Sequence, residues 1–233
     1  MKTLRRIVRY GKRKPFELES IGADSQTRAW REHVFYERRL LEEIERRKLP
    51  GVYVDVGANL GNHSVFFWNY CPATEVIAIE PYAPNVEILK RNLKKNIFSY
   101  RIIERAVGSA AGSVRVGRLD DVACAAARII PEETETDRIR LRGVTDVQME
   151  TLDVLLAGVH QIAVIKLDVE GFEAAAVEGA REVIKQHHPL IIAECFRGSD
   201  FDQLNELLVP MGYVTDGKNW CASRTCIWEF SGS

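Results

Sequence analysis

Apolar positions along this chain follow two rhythms that take turns: short unbroken runs, and stripes with three-to-four spacing. The runs Val52–Val56, Val76–Ile79, Tyr100–Val107, Ala163–Leu167 and Pro189–Ala193 predict strands. The stripes between them predict helices. One starts near Asn62 and carries Val65, Phe66 and Phe67; the next has Pro84 in its first turn, where a missing N–H costs nothing, and buries Val86, Leu89 and Leu93. Phe172–His187 places Ala176, Val177, Ala180, Val183 and Ile184 on one face, and Leu204, Leu207 and Leu208 mark a helix closed by Pro210 and Gly212. Thr151–Leu156 reads as a short helix, and Tyr213–Thr215 with Thr225–Phe230 as a β edge. Strands without polar alternation belong to a mostly parallel sheet covered on both faces. The predicted fold class is therefore α/β, doubly wound and Rossmann-like, with an antiparallel C-terminal edge.

Two stretches break the rhythm. Residues 1–23 form a basic arm carrying Lys2, Arg5, Arg6, Arg9, Lys12, Arg13 and Lys14. Leu4, Ile7 and Val8 share one helical face with Arg5, Arg6, Arg9 and Lys12 around it, a pattern that fits contact with an anionic surface. A solvated terminus is the plainer alternative. From Asp24 to Lys48 the spacing of Trp30, Val34, Leu40, Leu41 and Ile44 predicts a helix, ended by Leu49-Pro50-Gly51. The second break is 109–150, an insertion in which β-like pieces (Ser113–Val116, Val147–Met149) flank a Glu-rich loop around Pro131–Asp137. The expected division is an arm and helix over 1–50 and one α/β domain over 51–233.

Composition narrows the function. A hydrophobic fraction of 46% and a charged fraction of 28% are ordinary for a globular chain, and 233 residues fit one domain. A net charge of −1 gives no global attraction to nucleic acid, and no nucleic-acid partner is expected. The cysteines (Cys71, Cys124, Cys195, Cys221, Cys226) are odd in number and lack a CxxC pair, so neither a disulfide framework nor a zinc site is expected. No apolar run approaches the roughly 18 residues that span a bilayer, and the basic start lacks the apolar core of a secretory signal. The expected location is the cytoplasm.

The chemistry concentrates after the first long run. Val52-Tyr53-Val54-Asp55-Val56 enters the turn Gly57-Ala58-Asn59-Leu60-Gly61 and then a helix. Gly57 permits a backbone barred to other residues and lets a ligand approach the main chain. Glu80, at the end of the next strand, can accept both hydroxyls of a ribose. The bland reading is a tight turn and an exposed carboxylate. A dinucleotide site would place GxGxxG here, facing a pyrophosphate. Asp55 is unwelcome to a pyrophosphate but suits the cationic amino-acid end of S-adenosylmethionine. A methyltransferase is thus favoured over a nicotinamide-dependent oxidoreductase, with a non-catalytic cofactor-binding protein as a third reading.

Asp168 and Glu170 stand where open α/β sheets place ligands, and Glu194 ends the next strand. Asp168 is the first candidate for taking a proton from an acceptor hydroxyl, with Glu170 in reach. His63, at a helix start, is either the alternative base or a polar cap. Lys166 is either a buried partner of a carboxylate or a support for the site. No clustered histidines indicate a transition metal; a magnesium ion held by Asp168, Glu170 and substrate oxygens is compatible with the set.

The segments VDVGANLGNHS (54–64), AIEPYAPNVEILKRN (78–92), RAVG (105–108), TLDVLL (151–156), IKLDVEGFEAAAVEGA (165–180) and HPLIIAE (188–194) resemble the FkbM-type methyltransferase family in order and spacing. The resemblance covers roughly residues 36 to 194, and Asn59 and the KxDVEGxE block at Lys166–Glu173 are its specific parts. It implies a class I methyltransferase fold and O-methylation of a hydroxyl on a sugar, glycan or polyketide-like product. It also implies cofactor contacts at Asp55, Gly57, Asn59, Gly61 and Glu80, with Ala106 near the adenine; Asp168 joins them from its place beside the methyl group. The arm, the insertion and the C-terminal residues match nothing in the family, and they are where the small-molecule or glycan acceptor would be chosen.

Overall fold

The basic start forms strands: β1 (Leu4–Val8) and β2 (Phe16–Ser20) pair antiparallel, Leu4 opposite Ser20 and Val8 opposite Phe16. The computed structural model describes residues 3–12, 15–20, 25–119, 128–130, 141–195, 198–222 and 224–232. Lys2, Arg13, Lys14, Asp24, Cys124 and the polar loop 131–137 lie outside the described residues.

The hairpin corrects the amphipathic-helix expectation. Positions 4, 7 and 8 fit a helical face, but pairing with 16–20 sends Val8 and Leu18 into the core and leaves Leu4 and Ile7 partly exposed. Glu17 and Glu19 lie opposite Ile7 and Arg5 in the ladder, and ion-pair with Arg5, Lys95 and Arg91. Tyr10 packs on Tyr70 and Phe66 at 4.5 and 5.0 Å between ring centroids, tying the hairpin to the rest of the molecule.

The expected helix over 24–48 is two, α1 (Ser25–Arg31) and α2 (Arg38–Arg47). His33 and Glu37, both at positive φ, separate them. Then follow β3 (Gly51–Val56), α3 (Asn62–Tyr70), β4 (Ala73–Ile79), α4 (Ala83–Asn96) and β5 (Tyr100–Ile103). The run read as one strand over 100–107 breaks after Ile103, because β6 (Ala106–Val107) leaves the sheet to pair with the insertion. The insertion is built of β7 (Gly112–Leu119), β8 (Arg128–Ile130) and β9 (Leu141–Glu150), which form a four-stranded sheet with β6 in the order β6-β9-β7-β8. Helix α5 (Leu152–Leu155) is capped by the Thr151 hydroxyl, which accepts from the Val154 N–H at 3.3 Å.

Strand β10 (Ile162–Leu167) is followed by α6 (Glu173–Glu178) and α7 (Arg181–His187), the expected single helix being interrupted at Gly179. Then come β11 (Leu190–Glu194), α8 (Gly198–Leu208), a 3₁₀ turn, β12 (Tyr213–Val214) and β13 (Thr225–Phe230). The main sheet runs β12-β13-β11-β10-β3-β4-β5, with β11, β10, β3, β4 and β5 parallel and β13 antiparallel to its neighbours. Every residue of central β3 is buried, as a strand covered on both faces requires. One core includes Val8, Trp30, Phe35, Leu41, Val65 and Phe66, so the N-terminal fifty residues share an interior with α3 and the sheet. The other lies between the sheet and α5–α8. Among the described residues no helix is long and apolar enough to cross a membrane, and the described cysteines are free thiols.

Candidate active site

Strand order turns back at β3. Its successor β4 lies on one side and β10 on the other, so the chain diverges and leaves a crevice at the strands' carboxyl ends. Gly57 follows β3 with φ +75°, and a Cβ there would sit 1.8 Å from the Asp168 carbonyl oxygen. Only glycine fits between these two strand ends. Asn59 and Glu170, non-glycine residues, also hold positive φ at the crevice, a strained backbone of the kind that clusters at functional sites.

The crevice opens a cavity of about 540 Å³, counting the solvent space at its mouth. Its walls change character along its length. In strand order, Asp168, Val169 and Glu170 follow β10, Gly57 and Asn59 follow β3, Glu80 and Asn85 stand beyond the end of β4, and Ile79, Pro81, Ala106, Val107 and Ile129 make an apolar slot that Arg105 also lines. Ile129 comes from β8, so the inserted sheet builds part of the wall; it packs with Tyr82, Ala106 and Val116.

Glu80 is 4% exposed. Its Oε2 accepts from the Asn59 N–H at 2.9 Å, and its Oε1 from the Tyr82 N–H at 3.0 Å and the Asn85 amide at 3.4 Å. Burial pushes its pKa up to about 7, against these hydrogen bonds, which favour the charged form.

Behind the cavity lies a group of mostly buried charges. Lys166 Nζ stands 3.3 Å from Asp55 Oδ1, 3.2 Å from Asp168 Oδ2 and 3.3 Å from the Gly57 carbonyl oxygen. Burial opposes its charge, but the carboxylates of Asp168, Asp55 and Glu37 outweigh burial and raise its pKa. Asp55, fully buried, also accepts from the Ser64 hydroxyl at 2.6 Å. Burial would raise its pKa, yet Lys166, His63 and Ser64 hold it below the usual range. His63 Nε2 contacts Glu37 Oε2 at 3.0 Å, close enough for an ion pair.

The residues read from sequence thus fall into two groups. Gly57, Asn59, Glu80, Ala106, Asp168 and Glu170 line the cavity. Asp55, Gly61 and His63 do not. Asp55 lies beneath the surface and reaches the cavity only through Lys166 and Asp168. Gly61 lets α3 approach α4, since a Cβ there would be 2.8 Å from Leu93. His63 faces Glu37. Of the two roles left open for Lys166, the structure shows the buried carboxylate partner. Glu173 turns back to accept from the N–H groups of Val169 and Gly171, fixing the loop that carries Glu170. Glu194 joins Asp168 and Glu170, their carboxylate oxygens lying within 4.8 Å of one another.

Sequence reasoning missed Glu37, Asn85 and Ile129. Glu37 and Ile129 lie in segments whose pairing is tertiary, and no periodicity marks them.

Five parallel strands in this order, with an antiparallel strand placed next to the edge, are the class I methyltransferase arrangement. The chain is similar to Methyltransferase sdnD of Sordaria araneosa, 25% identical over 204 residues, covering 73% of this chain and 77% of that protein. It also resembles the crystal structure of Methyltransferase FkbM from Methylobacillus flagellatus (TM-score 0.56, 18% identity, 78% of this chain), spanning 44% of that chain's length. A putative caffeoyl-CoA O-methyltransferase from Staphylococcus aureus shares the fold (TM-score 0.51, 14% identity, 84% of this chain and 82% of that one). The family model of the methyltransferase FkbM domain matches residues 55–215. The chain belongs to that family and is a methyltransferase.

Proposed function

We propose that the cavity binds S-adenosylmethionine and that the protein transfers its methyl group to a hydroxyl of a sugar, glycan or polyketide-like acceptor. The observation that carries this reading is the graded lining. An apolar slot suits adenine, a strand-end carboxylate suits the ribose hydroxyls, and an acidic end suits the ammonium and sulfonium. The cofactor supplies an electrophilic methyl group; the chain's own residues bind, orient and manage protons. Ile79, Ala106 and Ile129 would hold the adenine, Glu80 and Asn85 the ribose, and Gly57, Asn59 and Asp168 the amino-acid end.

A hydroxyl is a weak nucleophile, so a carboxylate would accept its proton as the acceptor oxygen takes the methyl group. We assign this role to Asp168; its one-third exposure and its contact with Lys166 support the reading. Much of the remaining acceleration comes from holding the reacting atoms aligned. A second reading rests on the convergence of Asp168, Glu170 and Glu194. These residues would hold a divalent cation, which lowers the pKa of a coordinated hydroxyl.

The test is a turnover screen with methyl-labelled S-adenosylmethionine against hydroxylated glycans, lipids and polyketides, with and without a chelator. Transfer to oxygen on one of these classes, unaffected by chelation, is expected. Transfer abolished by chelation would favour the cation reading, and transfer to nitrogen or carbon would overturn the assignment to hydroxyls.

A further inference from the structure

Glu37 lies outside the span that defines the family, residues 55–215, yet the structure places it with unusual care. Asn62, wholly buried at the start of α3, uses its amide to grip the residue before it: Oδ1 accepts from the Tyr36 N–H at 3.0 Å, and Nδ2 donates to the Tyr36 carbonyl at 3.0 Å. The same Oδ1 accepts from the Trp30 indole at 2.9 Å. Held by this clamp, Glu37 takes a left-handed backbone with φ +56°, a conformation that costs a non-glycine residue energy. Its side chain, 7% exposed, meets His63 at 3.0 Å.

Three ionisable groups act on Glu37. Burial works against its charge, while His63, Lys166 and the Cys221 thiol favour it. Two groups of contacts lie side by side, Glu37 with His63 and Lys166 with Asp55 and Asp168, Ser64 next to His63 donating to Asp55; together they hold three carboxylates against one amine, with His63 as the other basic group. Of these, only Asp168 opens to the cavity. Packing alone does not require such a set, because buried charges are costly and apolar residues of similar size often replace them without loss. An acidic excess fixed behind one end of a cavity does favour a cation at that end.

We propose that Glu37 is a positioning residue of the methyl-donor site, whose buried charge, added to those of Asp55 and Asp168, favours the cationic donor over the neutral product and so assists product exchange. The inference rests on the reading of the cavity as an S-adenosylmethionine site. The reacting charge gives it its logic: the donor carries a sulfonium, and loss of the methyl group leaves a neutral thioether.

Calorimetry with S-adenosylmethionine and S-adenosylhomocysteine on the wild type, Glu37→Gln and Glu37→Asp tests it. Glu37→Gln keeps the size and removes the charge. Its affinity for S-adenosylmethionine should fall about threefold to tenfold, with S-adenosylhomocysteine within about twofold, because the charge acts without touching the ligand. Glu37→Asp should recover most of the difference. Equal losses for both ligands would show a merely structural residue and overturn the proposal, as would no loss at all. If the variants do not fold, the wild type decides: tighter binding of the neutral product than of the donor overturns it. Failure of the wild type to bind either ligand would instead remove the cofactor reading itself.

Discussion

Glu80 should make cofactor affinity depend on pH in a window set by its own titration. Burial raises its pKa from the ordinary 4.5 to about 7 in the ligand-free protein. The folded state thus holds this proton more tightly than the unfolded chain. The stability this confers is complete below pH 4.5 and is lost as pH rises through about 7. Ribose hydroxyls donate to a carboxylate and require its ionised form, so binding must expel the proton wherever Glu80 carries one. At pH 6 that costs about 1.4 kcal/mol, one pKa unit, or roughly tenfold in affinity relative to a plateau reached near pH 8. Calorimetry with S-adenosylhomocysteine from pH 6 to 8 measures the slope and the proton released. Glu80→Gln should flatten the profile and weaken binding at pH 8 by about 1.5–3 kcal/mol, the range for hydrogen bonds to charged groups. Identical pH profiles in wild type and Glu80→Gln would refute the assignment of Glu80 to the ribose.

Asp168→Asn removes the proposed proton acceptor. Single-turnover methylation at saturating S-adenosylmethionine should slow by about 10²–10⁴-fold, and a loss below about tenfold would pass the role elsewhere. Lys166→Met leaves Asp55 buried without its amine, and thermal unfolding should report a destabilisation of about 3–5 kcal/mol, as for other broken buried pairs; an unchanged melting temperature would contradict the network described. Gly57→Ala drives a Cβ into the Asp168 carbonyl at a backbone angle alanine avoids, so soluble expression and S-adenosylhomocysteine binding should both drop. A variant that binds normally would mean the two strand ends are free to move apart.

Much of the fold was legible because its signals are local. The apolar runs of β3, β4, β10 and β11 mark buried parallel strands, and the turn from Gly57 to Gly61 marks the crevice. What escaped depends on partners distant in sequence. Leu4, Ile7 and Val8 fit a helical stripe as well as a strand, and only pairing with Phe16–Ser20 decides between them. Ala106 and Val107 continue an apolar run, yet they leave β5 because Met149 and Glu150 offer a different ladder. Within the site, Glu80 and Asp168 could be placed from their strand ends. Asp55 could be placed but not oriented: it looked like a ligand contact because Lys166, its neighbour across the ladder, is far away in sequence. Ile129 and Glu37 gave no signal, since each is defined by what the fold brings to it.

The central claim, that this cavity is an S-adenosylmethionine site, is met most directly by one calorimetric titration of the purified protein at pH 8 with S-adenosylhomocysteine and, separately, with NAD. S-adenosylhomocysteine should bind saturably at one site per chain, more weakly in Glu80→Gln, and NAD should not bind. Binding of NAD with none of S-adenosylhomocysteine would contradict that claim.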